Sequence, residues 1–149
     1  MRYGFDSEEI YRMYASKQDV REGDILMVKD GTYLIGTCAM ISKYDTKIVY
    51  QSHLYKIRVL DKKVISPFIL LAILSSDPVQ QQIKSKRFTQ DIIDSLGNRI
   101  HDLILPIPKD NALRKRIEKN VQKALEDRME ARELARQACL DVASVLVKA

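Results

Sequence analysis

The chain has 149 residues, of which 46% are hydrophobic and 30% charged, with only 5 Gly and 4 Pro. That balance excludes a disordered or low-complexity chain and favours one globular domain with an appended element. The 25 Lys and Arg exceed the 20 Asp and Glu by a net +5, which suits a polyanionic partner, but no segment holds the surplus, so a basic patch has to be assembled by folding.

The first 22 residues are polar, and Ser7-Glu8-Glu9 followed by Ile10, Tyr11, Met13 and Tyr14 predicts a short helix capped near Asp6 or Ser7. Ile25 to Val28 is an apolar run between Gly23-Asp24 and Asp30-Gly31, the pattern of a buried strand with turn chemistry at both ends. Ile35 to Ile41 reads as the next strand, Lys43 to Lys47 as a charged loop and Ile48 to Tyr50 as a short strand. In HLYKIRVL, Tyr55, Ile57 and Val59 alternate with Lys56 and Arg58, the period expected of a half-solvated strand.

Helical patterns then take over. Pro67 suits a first turn, and Phe68, Leu70, Leu71 and Leu74 share one side of a short helix. Asp77-Pro78 opens a second, with Asp77 as the expected cap and Val79 to Lys86 as its body. Thr89 is expected to cap a third short turn through Leu96, closed by Gly97, and LILPIP at 103–108 to form a last strand. From Asp110 to about Lys148 runs a helix without internal Gly or Pro. Ile117, Val121, Ala124, Arg128, Ala131, Ala135, Ala138, Val142 and Val145 follow one another at alternating steps of four and three, a coiled-coil seam with one cation in it. At about 1.5 Å per residue such a helix spans roughly 55 Å, more than a domain of this size needs. Pairing with a partner helix is therefore expected, the alternative being a helix folded back over its own core. The expected fold class is α/β of the α+β kind: a small, mostly antiparallel β unit with short helices over 1–109, then one long coiled-coil helix over 110–149.

Little in the chain points to catalysis. His53 and His101 lack companions at metal-ligand spacing, and no phosphate-cradling Gly-Lys-Ser/Thr loop, dinucleotide fingerprint or Gly-x-Ser-x-Gly elbow occurs. Methylation of an extruded base is excluded as a self-contained activity, since only Ser66-Pro67-Phe68 stands where an Asn/Asp-Pro-Pro-aromatic loop is needed. Asp24 with Asp45-Thr46-Lys47 or Asp61-Lys62-Lys63 imitates the acidic residue and Asp-x-Lys pair of a metal-dependent nuclease, which stays open as an alternative. Cys38 and Cys139 are far apart and fall in different kinds of element, as in a reduced cytosolic protein. The start MRYGFDSEEI lacks a signal-peptide plan, and ISPFILLAIL is too short to cross a bilayer, so a soluble cytoplasmic protein without membrane contact is expected.

Five segments in order carry a resemblance. GDILMVKDGTYLIGTCAMIS (23–42), QSHLYKIRV (51–59), SPFILLAILSSDPVQQQI, QDIIDSLGNRIHDLILPIP and the entry KDNALRKRI into the long helix together resemble a target recognition domain of the DNA specificity subunit of type I restriction-modification systems, with its conserved helix. The resemblance covers about residues 22–118. It implies a non-catalytic reader of double-stranded DNA that needs no cofactor or metal and docks a methyltransferase subunit and the restriction endonuclease subunit. In that family two recognition domains are separated by two antiparallel helices, and more strands precede the Gly-Asp-Ile-Leu segment. This chain has one unit and one helix, which points to an N-terminally incomplete domain and to a homodimer through the helix, a fragment or a piece of a split gene.

Within that reading Gly31 and Gly36 let the backbone approach a surface, while Lys29, Thr32, Tyr33 and Thr37 offer a cation, hydroxyls and an aromatic face. The alternative is a strained hairpin whose Thr and Tyr satisfy local backbone groups. Lys84, Lys86, Arg87 and Arg99 are candidate phosphate contacts or an ordinary solvated face. Base-edge contacts would come from Tyr33, Gln51, Ser52, His53, Gln90 or Asn98. A coiled-coil scaffold that ignores DNA is the third reading.

Overall fold

In the computed structural model residues 7–31, 33–90 and 93–146 are described. The expected cap at Asp6, Thr32 and the helix end at Lys148 lie outside them. The chain divides after Ile107 into two units.

The first unit begins with helix α1 (Ser7–Gln18), followed by strands β1 (Ile25–Val28), β2 (Cys38–Met40) and β3 (Leu54–Ile57). They form one antiparallel sheet in the order β2-β1-β3, with Ile25 opposite Met40 on one side and Ile57 on the other. The apolar run of β1 occupies the centre because its neighbours satisfy the backbone on both edges. Ile25 and Met27, on one face of it, are buried.

Helices α2 (Pro67–Leu74) and α3 (Asp77–Lys86) supply the rest of the core through Ile69, Leu70, Ile73, Leu74, Val79 and Ile83. Ser66 caps α2, its hydroxyl accepting from the Ile69 amide at 3.3 Å, and Pro67 sits where a missing donor costs nothing. The buried side of α2 comprises Pro67, Ile69, Leu70, Ile73 and Leu74, so Phe68 and Leu71 take less of it than the sequence pattern suggests. At α3 the cap position falls to Ser76, whose hydroxyl donates to the Ile73 carbonyl at 2.6 Å, and Asp77 becomes a first-turn acid at the positive end of the helix.

The expected helical turn after Thr89 is instead a hairpin, β4 (Phe88–Gln90) paired antiparallel with β5 (Ile93–Ser95), followed by a 3-10 helix over Gly97–Asp102. The tie that favours strand here is distant in sequence: Asp30 forms a bridge with Ser95, and the Gly31 amide donates to the Asp94 carbonyl at 2.9 Å.

Two expected strands do not form, for one shared reason. Tyr50 gives its amide to Gln18 Oε1 at 2.9 Å, and its carbonyl accepts from Gln18 Nε2 at 2.5 Å. Ile104 is held in the same way by Gln82, at 2.8 and 2.9 Å. A primary amide reproduces the donor-acceptor pair of a neighbouring backbone, so both segments are satisfied without a partner strand. The strand expected over Ile35 to Ile41 shortens to Cys38–Met40, because Gly36 at φ +89° turns the chain. Its Cβ would lie 3.0 Å from Ile83 Cγ2 and 3.1 Å from Gln80 Oε1, so this position requires glycine both for conformation and for the close approach of α3.

The second unit is helix α4 (Asn111–Leu146). Asp110 caps it, its carboxylate accepting from the Ala112 amide at 2.9 Å. The architecture is thus α+β: a small antiparallel sheet with short helices and a long C-terminal helix. Among the described residues no helix is long and apolar enough to cross a membrane.

Candidate nucleic-acid interface

Antiparallel order brings the end of β1 and the starts of β2 and β3 to one end of the sheet, which therefore collects Lys29, Tyr33, Thr37, Gln51, Ser52 and His53. The β4–β5 hairpin is fastened to the same end: besides the Asp30–Ser95 bridge, the Leu96 amide donates to the Lys29 carbonyl at 3.1 Å.

Asp30 is the hub. Its Oδ2 lies 3.4 Å from Lys29 Nζ and 3.3 Å from His53 Nδ1, and Oδ1 accepts from the Ser95 hydroxyl. That hydroxyl in turn accepts from the Gly97 amide at 3.2 Å, and Tyr55 donates its phenol to the Gly97 carbonyl. Burial pushes the Asp30 carboxyl up, but the Ser95 and His53 hydrogen bonds and the Lys29 charge outweigh it and hold the group below the usual carboxylate range. Asp30 stands between serine and histidine, so the Ser95 proton points at a carboxylate already engaged by Lys29 and His53; a serine nucleophile needs the imidazole in that place. The cluster fixes loops. It also commits Lys29 partly to Asp30.

The basic candidates meet beside it. Arg99 donates to the Lys86 carbonyl at 3.2 Å and lays its guanidinium 4.6 Å from the centre of the Phe88 ring. Arg87 reaches back to the Lys84 carbonyl at 3.5 Å and lies 3.9 Å from the Asp94 carboxylate. Folding therefore joins residues 84–87 to residue 99. Lys84, Lys86 and Arg99 have no carboxylate partner among the described residues, whereas Arg87 has one. Lys84 and Lys86 also complement the negative end of α3. Tyr33, Thr37, Gln51, Ser52, His53, Lys84, Asn98 and Arg99 are exposed, and Gln90 is placed by its backbone in β4. Asp30, Ser95 and Phe88, which position this set, are absent from the sequence-derived candidates: Asp30 looks like a turn residue, Ser95 falls in a segment read as a helical turn, and Phe88 falls between two segments read as helical.

The opposite end of the sheet has a different chemistry. Asp24 is 1% exposed and takes Arg58 Nε at 2.6 Å, Arg58 Nη2 at 2.7 Å and the Arg21 amide at 2.8 Å. Arg58 also reaches Asp19 at 2.9 Å, and Lys56 donates to the carbonyls of Gln18 and Asp19. Lys56 in β3 and Arg58 just after it are thus tied to the α1–β1 connection while the strand stays half-buried along its length. Both Asp24 oxygens are engaged, which removes the acidic ligand from the nuclease alternative. Asp45 accepts from Ser42 at 2.6 Å and Asp61 from the Lys63 amide at 2.8 Å, and among the described residues no group of three His, Cys, Asp or Glu side chains could hold a metal ion. Lys62 and Lys63 follow β3 at this end, so positive charge occurs at both ends of the sheet.

Along α4, Ile117 and Val121 are half-buried, while Ala124, Arg128, Ala131, Ala135, Ala138, Val142 and Val145 are exposed. Leu134 and Leu140 add exposed apolar surface beyond the predicted seam. Pairs at one-turn spacing, Gln122–Glu126, Lys123–Asp127 and Gln137–Asp141, bond at 2.9, 3.0 and 2.9 Å and support the helix itself. No family model, curated protein or solved structure matches the chain.

Proposed function

We propose that the chain is a non-catalytic recognition module for duplex DNA, as its resemblance to a type I specificity-subunit domain implies. Lys84, Lys86 and Arg99 serve as phosphate contacts, Thr37, Gln51, Ser52, His53 and Asn98 supply the groups that face base edges, and Tyr33 offers its aromatic face. The seam of α4 holds a second copy or a methyltransferase or endonuclease subunit. The observation that carries this reading is the junction of Arg99 with the end of α3: three cations without carboxylate partners among the described residues sit beside a loop cluster rich in exposed hydrogen-bonding groups. A solvated face needs no such convergence of distant segments, although charge on the far end keeps the surface generally basic.

The test is fluorescence anisotropy with a labelled random-sequence duplex over a series of salt concentrations, with and without Mg²⁺. Binding without cleavage is expected, with affinity falling steeply as salt rises. Lys86→Ala combined with Arg99→Ala should reduce the slope of log K against log salt by about 2. An unchanged slope removes these residues from the interface, cleavage in Mg²⁺ favours the nuclease, and no binding at any salt leaves the scaffold.

A further inference from the structure

The β1–β2 hairpin exposes two large apolar side chains at its tip: Tyr33 is 92% and Leu34 64% exposed. Leaving both in water forgoes the burial that normally retains such residues, so their exposure invites an explanation. A loosely held loop would provide one, but this hairpin is tied at both ends. On the entering side Asp30 bridges to Ser95 and the Gly31 amide bonds to Asp94; on the leaving side the Gly36 amide bonds to the Val28 carbonyl at 2.9 Å, and Gln80 Nε2 donates to the Gly36 carbonyl at 3.0 Å. Across the tip the Thr37 amide closes onto the Leu34 carbonyl at 2.9 Å. The described residues on both sides of position 32 are thus tied to the rest of the fold, and Tyr33 and Leu34 present an aromatic ring with a leucine beside it.

Its neighbours indicate the occupant. The strand that anchors Gly31 carries Asp94, next to Arg87, and runs on to Arg99 stacked on Phe88 above the Lys86 carbonyl. A paired aromatic and aliphatic tip beside cations matches the chemistry of a duplex, in which phosphates meet the cations and the faces of the base pairs accept apolar groups. A purely apolar protein partner would leave those cations facing it without counter-charge.

We infer that Tyr33 and Leu34 form a wedge that enters between adjacent base pairs, partly unstacking one step and kinking the duplex. This deepens the DNA-reading function and rests on it. A wedge favours flexible pyrimidine-purine steps, so it adds sequence preference at a step whose base edges need not be touched.

The test uses a duplex that the full chain itself selects from a randomised pool, with 2-aminopurine placed at each purine in turn. Binding is expected to raise fluorescence at one step, reporting unstacking. Tyr33→Ala with Leu34→Ala should abolish that rise and weaken binding about tenfold, the size of one stacked aromatic contact, while the salt slope stays unchanged. Tyr33→Phe should keep the rise, since the ring is what inserts. Selection and tight binding without a fluorescence rise, or a rise that persists in the double alanine variant, overturns the wedge and leaves DNA recognition standing. Failure to select any duplex overturns both. The substituted side chains are exposed, so loss of folding, checked by circular dichroism, is not expected to confuse the result.

Discussion

Replacing Arg58 by methionine tests the account of the far end of the sheet most directly. Asp24 is buried and receives two short guanidinium bonds and one backbone amide. Removing Arg58 keeps most of the apolar stem but leaves a carboxylate out of water with a single amide. Breaking a buried pair in this way costs about 3 to 5 kcal/mol; the Arg58 side chain is 25% exposed, so solvent takes some of the loss and about 3 kcal/mol is expected. All seven tyrosines precede Lys56 and there is no tryptophan, so near-ultraviolet circular dichroism in urea follows the first unit without interference from α4. With a slope of about 1.5 kcal/mol per molar, the midpoint should fall by about 2 M. Adding Asp24→Asn removes the stranded charge, and the double variant should be more stable than the sum of the single changes allows. A shift below about 0.5 M for Arg58→Met, or strict additivity, would refute the buried pair as the anchor of the α1–β1 connection. Acid should act on the same network. Arg21 and then Arg58 hold the Asp19 carboxyl down at about 2. Burial pushes Asp24 up, but Arg58 and the Arg21 amide prevail and lower it. A depressed folded-state value means that the stabilisation is present above the unfolded-chain value of 3.8 and is lost as pH falls towards about 2. A stability curve that is flat through that window in wild type would contradict the assignment.

Three further outcomes are expected. Gly36→Ala combines a left-handed φ of +89° with a Cβ 3.0 Å from Ile83, while Gly31→Ala meets open space but is strained by its φ of +139°; both should destabilise, Gly36→Ala by about 2 kcal/mol or more, and Ile83→Val should recover part of the loss at Gly36 alone, so no recovery in urea melts would remove the close-packing argument. Burial pushes the Cys38 thiol up to about 12 although the residue is only half-buried, while Cys139 is exposed, so a thiol reagent at pH 8 should label Cys139 quickly and Cys38 much more slowly; two fast labels would contradict the shielding of the Cys38 thiol. Arg128 interrupts an otherwise small and apolar seam, and Arg128→Leu should raise the association constant of the helix in sedimentation equilibrium; a species that stays monomeric before and after the change would deny the seam a role in pairing.

The sequence was most legible where one local signal controls the outcome. The apolar run between two turn signals marks β1, Ser66-Pro67 marks the start of α2, and a span without Gly or Pro behind Asp110 marks α4, because each depends on neighbours within a turn of the chain. The errors fall where a distant group takes over a backbone requirement. Tyr50 and Ile104 look like strand residues, but glutamines 32 and 22 positions away bond to their backbone, and no local pattern announces a side chain acting as a strand edge. The β4–β5 hairpin was hidden for the same reason, since its tie to Asp30 spans 65 residues.

The candidate interface divides along the same line. Composition and spacing by themselves determined that cations, hydroxyls and an aromatic ring are available in loops, and that α4 carries an apolar stripe at coiled-coil spacing. Which of those cations act together was decided only by the fold: Arg99 joins Lys86 through a backbone carbonyl and the Phe88 ring, Lys29 is drawn towards Asp30, and Asp24 vanishes beneath Arg58. Periodicity is a property of the chain next to itself, whereas charge pairing is a property of atoms within a few ångströms, and only chain packing brings residues 24 and 58, or 86 and 99, to that distance.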